Sequence, residues 1–106
     1  MKATYVQRGE AIDYINVGEE MIGAGDVITI GSRIGVAGAP IYKGQIGTVH
    51  VMGVFDLPKT EGEAIALGAK VFYTENGITA TGGDVVAGWA VAEAAVDAET
   101  VRVKID

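Results

Sequence analysis

Val71-Phe72-Tyr73-Thr74-Glu75-Asn76-Gly77-Ile78-Thr79-Ala80 is the stretch whose reading decides the fold. β-Branched and aromatic residues, which suit a pleated surface, stand on both sides of an Asn-Gly pair. Both Asn76 and Gly77 tolerate positive φ, so the pair predicts a tight hairpin between strands at Lys70–Thr74 and Ile78–Thr81.

The same vocabulary extends in both directions. The chain holds 14 Val and 11 Ile against 2 Leu, with 16 Gly as punctuation. Helical cores favour leucine, whereas side chains stiff at χ1 favour strands. Val101-Arg102-Val103-Lys104-Ile105 puts three aliphatic residues on one face and two cations on the other, the pattern of a half-buried final strand. Thr48-Val49-His50-Val51-Met52-Gly53-Val54-Phe55 alternates in the same way and loses its phase at Val54. Further strands are expected near Ala3–Gln7, Ile12–Ile15, Val27–Ile30, Gly35–Ala37 and Val85–Ala92. Thr60–Leu67 is a candidate helical turn that Gly62 weakens. Ile22-Gly23-Ala24-Gly25-Asp26-Val27-Ile28 is echoed by Ile65-Ala66-Leu67-Gly68-Ala69-Lys70-Val71, and in part by Ile41-Tyr42-Lys43-Gly44. Recurrent turn chemistry accounts for the echo more readily than duplication does. These features predict an all-β chain: one compact domain over residues 1–106, a β-barrel or β-sandwich of short strands with at most one short helix.

Size and charge narrow the function. A chain of 106 residues and 10.9 kDa folds to about 5,600 Å² of surface from roughly 16,000 Å² extended, enough for one core. That excludes a multidomain enzyme. With 49% hydrophobic and 21% charged residues it is not a disordered tail. The net charge is -6, and the eight basic residues are scattered, which argues against binding nucleic acid. Cysteine is absent, so disulfides and thiolate chemistry are excluded. The most apolar segment, Val85–Val96, is too short to span a bilayer, and no membrane partner is expected.

The residue types able to carry chemistry are isolated. His50 is the only histidine and has no neighbouring base or ligand in sequence; Ser32 is the only serine and lacks a nucleophile elbow. The acidic pairs Glu19-Glu20, Glu61/Glu63 and Asp97/Glu99 read as solvated turns, and Gly82-Gly83-Asp84 as a flexible loop. Gly53-Val54-Phe55-Asp56-Leu57-Pro58-Lys59-Thr60 matches the phosphate-binding pattern G-x-x-x-x-G-K-T except that Pro58 replaces the second glycine. Proline removes an N–H donor and restricts the curl of the loop. Trp89, flanked by Gly88 and Ala90, suits a core or an oligomer interface better than a stacking platform. No catalytic, metal-ligating or cofactor-binding residue emerges.

The order of segments carries a resemblance. Tyr5-Val6-Gln7-x-Gly9-Glu10 opens the chain and Ile12-Asp13-Tyr14-x-Asn16 follows. Next come Ile22-x-x-Gly25-Asp26-Val27-Ile28, Gly53-Val54-Phe55-x-Leu57-Pro58-Lys59 and Ile65-x-x-Gly68-x-x-Val71-Phe72-Tyr73. Gly88-Trp89-Ala90 then precedes the closing Thr100-Val101-Arg102-Val103. Together these resemble the DUF2190 family of tailed phages and prophages, regarded as capsid cement, or head decoration, proteins. The resemblance implies a structural virion protein on the capsid exterior, made in the bacterial host cytoplasm and partnered by the major capsid protein. It further implies a homo-oligomer, a trimer being favoured, with no cofactor and no enzymatic activity. The recombinase label given to some members is opposed here by Pro58 and by chain length. A terminal arm over residues 1–8 is the expected capsid contact, through Lys2, Thr4, Tyr5, Val6 and Arg8, because chain ends can add to a neighbour's sheet. Trp89 and Val91 are the expected oligomer interface. The rival readings are a lipoyl-like carrier or ligand-binding module, for which Lys59 lacks the usual acidic or Met-Lys context, a nucleotide-dependent recombination enzyme, and another virion component such as a tail protein.

Overall fold

A computed structural model describes residues 1–105. It contains nine strands: β1 (Ala11–Ile15), β2 (Val27–Ile30), β3 (Arg33–Ala37), β4 (Ile46–His50), β5 (Gly53–Pro58), β6 (Lys70–Thr74), β7 (Gly77–Thr79), β8 (Val85–Ala90) and β9 (Thr100–Ile105). The described residues form no helix, so the chain is all-β.

The departures from expectation have local causes. Residues 3–7 form no strand, and residues 1–10 are exposed throughout. The phase break at Val54 arises because the chain leaves β4 at His50 and restarts at Gly53 with φ +134°. In the hairpin the turn residues are Glu75 and Asn76, and Gly77 already pairs with Thr74. The Thr74 hydroxyl stabilises this turn, accepting from Asn76 N at 3.2 Å and donating to Gly77 O at 2.7 Å. Thr60–Leu67 is not helical: Ile65 exchanges backbone bonds with Ala94, and Gly62 sits at φ +77°.

The echo between Ile22–Ile28 and Ile65–Val71 goes well beyond turn chemistry. Strands β1–β4 and β5, β6, β8, β9 repeat one pattern of pairing. Ile15 pairs with Ile46 as Pro58 pairs with Thr100, and Asp13 with Thr48 as Asp56 with Arg102. Ile28 opposes Gly35 as Val71 opposes Gly88. Ala37 opposes Val49 as Ala90 opposes Val103. The bridge Ile22↔Ile41 corresponds to Ile65↔Ala94. Each bridge residue leads into a four-residue turn closed by a backbone bond: Asp26 N to Gly23 O, Gln45 N to Tyr42 O, Ala69 N to Ala66 O and Ala98 N to Ala95 O. In three of these the third residue is a glycine at φ +79° to +87°, the requirement of a type II turn. The two halves meet where β3 runs parallel to β8 at Arg33↔Val86. Hairpin strand β7 is an addition to the second half, and its Ile78 bridges back to Lys59.

Two clusters form the core: a small one within the first half, and a larger one centred on the second half that also takes in Ile34 and Val36 of β3. The first holds Ala37, Ile41 and Val49 with Tyr14, Ile22 and Ile28 beside them. The second is larger, with Leu57, Ile65, Val71, Ile78, Ala90, Val101, Val103 and Ile105 at its centre. Tyr14 and Leu57, Ile22 and Ile65, Ile28 and Val71, and Val49 and Val103 occupy equivalent places by the pairings above.

Equivalent buried donors tie down the loops. Asn16 is buried, and its amide donates to Glu20 O at 2.8 Å and Ile41 O at 2.9 Å. In the second half the same position is Lys59, only 5% exposed. Its ammonium donates to the carbonyls of Thr60, Glu63 and Val96, which uses all three of its protons. Replacing Lys59 by Met orphans three carbonyls at a cost of about 2–4 kcal/mol. A thermal melt of Lys59→Met is expected to fall by roughly 10–20 °C, and an unchanged melting point contradicts this account. A Cβ at Gly88 would lie 2.0 Å from the Lys104 carbonyl oxygen, with φ at +141° besides. At the equivalent Gly35 it would meet the Val49 Cγ1 methyl at 2.4 Å. Backbone cannot yield as a side chain can, so Gly88→Ala is expected to cost about 3 kcal/mol or more and Gly35→Ala about 1–3 kcal/mol. Urea midpoints in the reverse order would refute the comparison.

Candidate functional site

The segment closest to a catalytic motif proves to be structural. Gly53–Pro58 is β5, paired along its whole length with β9 from Gly53↔Ile105 to Pro58↔Thr100. Its backbone groups therefore lie in a ladder and not around an anion. The Lys59 ammonium that a phosphate would need is consumed by three carbonyls. That burial also opposes the lipoyl-like reading, since a carrier lysine must be displayed at a hairpin tip.

The other polar candidates remain apart. His50 is half-buried, opposite Ala11 on one side and Val36 on the other. Glu63 accepts from Thr79 Oγ1 at 2.6 Å and Ala80 N at 2.9 Å, so it secures the end of β7. Glu19 forms an exposed ion pair with Lys43 at 2.8 Å. The Arg102 guanidinium donates to both oxygens of Asp56, at 3.0 and 3.3 Å, and these hydrogen bonds hold its carboxyl below the usual carboxylate range. That exposed pair supports the fold above the ordinary carboxylate pKa, and its support is lost as pH falls through the lowered value. Among the described residues no three His, Cys, Asp or Glu side chains gather to hold a metal ion. A shallow apolar groove on the first half is lined by Ile12, Ile30, Ile34, Val51, Met52, Gly9 and Arg33.

What the fold does present is surface. Lys2, Thr4, Tyr5, Val6 and Arg8 all lie in the exposed opening segment. Its polar ties are short-range, Gln7 Nε2 to Ala11 O and Arg8 to Glu10. Trp89 is 39% exposed on the outward face, with Lys70 opposite it on β6 and Lys104 opposite it on β9. Val91 follows half-buried, its N–H bonded to Arg102 O. A separate group of exposed apolar residues, Ile15, Val17, Met21, Tyr42 and Ile46, stands at the far end of β1 and β4, and sequence reasoning missed it. The signal lay in the echo: Ile46 and Tyr42 flank a repeated turn whose second-half counterpart carries Thr100 and Ala95.

Comparison with curated proteins and with solved structures finds no match. The sequence profile of the phage cement proteins matches residues 6–105, almost the whole chain and both halves of the fold. This is the class to which the ordered segments pointed. An all-β scaffold whose one motif-like lysine is spent inside the protein accords with that match, and the chain belongs to the phage cement protein family.

Proposed function

We propose that this protein binds the outer surface of the phage head and reinforces the shell, acting through contact area and without catalysis. Membership of the cement family makes it a structural component of the phage capsid. The major capsid protein is the proposed partner, the cement protein being made in the host cytoplasm and assembled as a homo-oligomer, a trimer by preference.

The observation that carries the mode of attachment is the opening segment. Residues 1–10 are exposed along their length and join no strand. Strand β1, which follows, pairs only with β4 among the described residues, which leaves its other edge open. Residues 1–9 include Lys2 and Arg8 and no acidic residue, while all 14 Asp and Glu lie beyond them. A cationic arm with Tyr5 and Val6 at its middle suits an extended docking strand, whose backbone bonds supply affinity and whose side chains supply register. Lys2, Thr4, Tyr5, Val6 and Arg8 are the proposed contacts.

Deleting residues 1–8 is expected to leave the thermal melt close to that of the full chain and to abolish decoration of purified heads, measured as copies per head by quantitative gel densitometry. Full occupancy by the shortened protein would overturn the arm's role.

A further inference from the structure

We propose that Ile15, Val17, Met21, Tyr42 and Ile46 form the surface on which a second copy of this chain packs. The pairing of the fold brings them together. Ile15 and Ile46 are direct cross-strand partners, and Gly44 N bonds Asn16 O at 2.8 Å, closing the turn onto the end of β1 beside Val17. The antiparallel bridge Ile22↔Ile41 sets Met21 opposite Tyr42 on its outer side. All five are at least half exposed, Ile46 at 65% and Val17 at 82%.

The second half supplies an internal control. The equivalent positions there are Pro58, Thr60, Ala64, Ala95 and Thr100, which are small, polar or both. The same backbone in the same pairing therefore does not need large apolar side chains at these places. Their presence in the first half has a cause outside the chain's own core.

The area and its apolar composition suit a second copy. Five such side chains expose roughly 500 Å² of apolar surface, at the upper end of what a monomer ordinarily shows. With its rim this approaches the roughly 800 Å² per partner of a standard interface. The whole chain exposes 6851 Å², against about 5,600 Å² for a free-standing protein of this mass, and part of that excess is the opening arm. A centre without charge is the composition of contacts between like subunits. At the rim Lys43 and Glu19 are already paired with each other within the chain at 2.8 Å, so they bring little net charge to the contact. Trp89 lacks this character, having a lysine opposite it on either side.

This inference rests on the homo-oligomer part of the proposed function and is independent of how the shell is touched. The test is light scattering after size exclusion at about 100 μM, on the full chain and two variants. Val17→Thr/Met21→Ala/Tyr42→Ala/Ile46→Thr gives the first half the residues that the second half already tolerates, which keeps folding compatible. The expected result is a multiple of 10.9 kDa for the full chain, a shift to 10.9 kDa for the fourfold variant, and an unchanged multiple for Trp89→Lys. A monomeric full chain overturns the inference, and so does a fourfold variant that keeps the multiple. Loss of the multiple in Trp89→Lys alone would transfer the interface to Trp89 and Val91. Head decoration by the full chain, measured separately, shows whether the cement reading stands when this one fails.

Discussion

The fold depends on how its long loops are held, because nine short strands of three to six residues carry little cooperative structure by themselves. In each half a buried donor just past the first strand does much of this, joined in the second half by Thr79. The Asn16 amide and the Lys59 ammonium sit at the same place, just past the end of a strand, and both turn inward onto loop carbonyls. A buried ammonium is expensive unless every proton is bonded. Here that condition is met by three carbonyls, and it leaves the lysine nothing with which to bind an anion or carry a cofactor. The same interaction that completes the second half removes its one candidate for chemistry.

Two units of one pairing pattern, joined at the parallel β3–β8 contact and through the larger core cluster they share, give a flattened body of 41 × 38 × 21 Å. Its radius of gyration of 14.7 Å exceeds the roughly 13 Å of a compact chain this long. A flat shape has much surface for its mass, a liability for a solitary protein and an advantage for one that covers another surface. The halves have diverged in complementary ways. The second carries β7 and most of the larger cluster, whereas the first exposes Ile15, Val17, Met21, Tyr42 and Ile46 where the second has Pro58, Thr60, Ala64, Ala95 and Thr100.

Much of this was legible in the sequence. The excess of Val and Ile over Leu set the class, and the strands at Val27–Ile30 and Lys70–Thr74 were read to the residue. The departures came where a side-chain hydrogen bond, near or distant, overrode the periodic signal. Asn76-Gly77 marked the hairpin but not its turn residues, because Thr74 supplied a side-chain bond that periodicity does not reveal. The near-match to a phosphate loop at Gly53–Thr60 is a strand with a capping lysine, a role visible only once Glu63 and Val96 are brought beside it. The duplication was heard in three turns and missed as a whole, since its proof lies in strand register and not in residue identity.

The most direct test of a protein that works by surface is to see it on one. Purified heads incubated with the full chain and imaged by electron cryomicroscopy should show added density of the protein's flattened dimensions on the shell exterior. The opening segment should point toward the major capsid protein. Heads that remain bare at saturating protein, or density confined to the interior or the tail, would contradict the account.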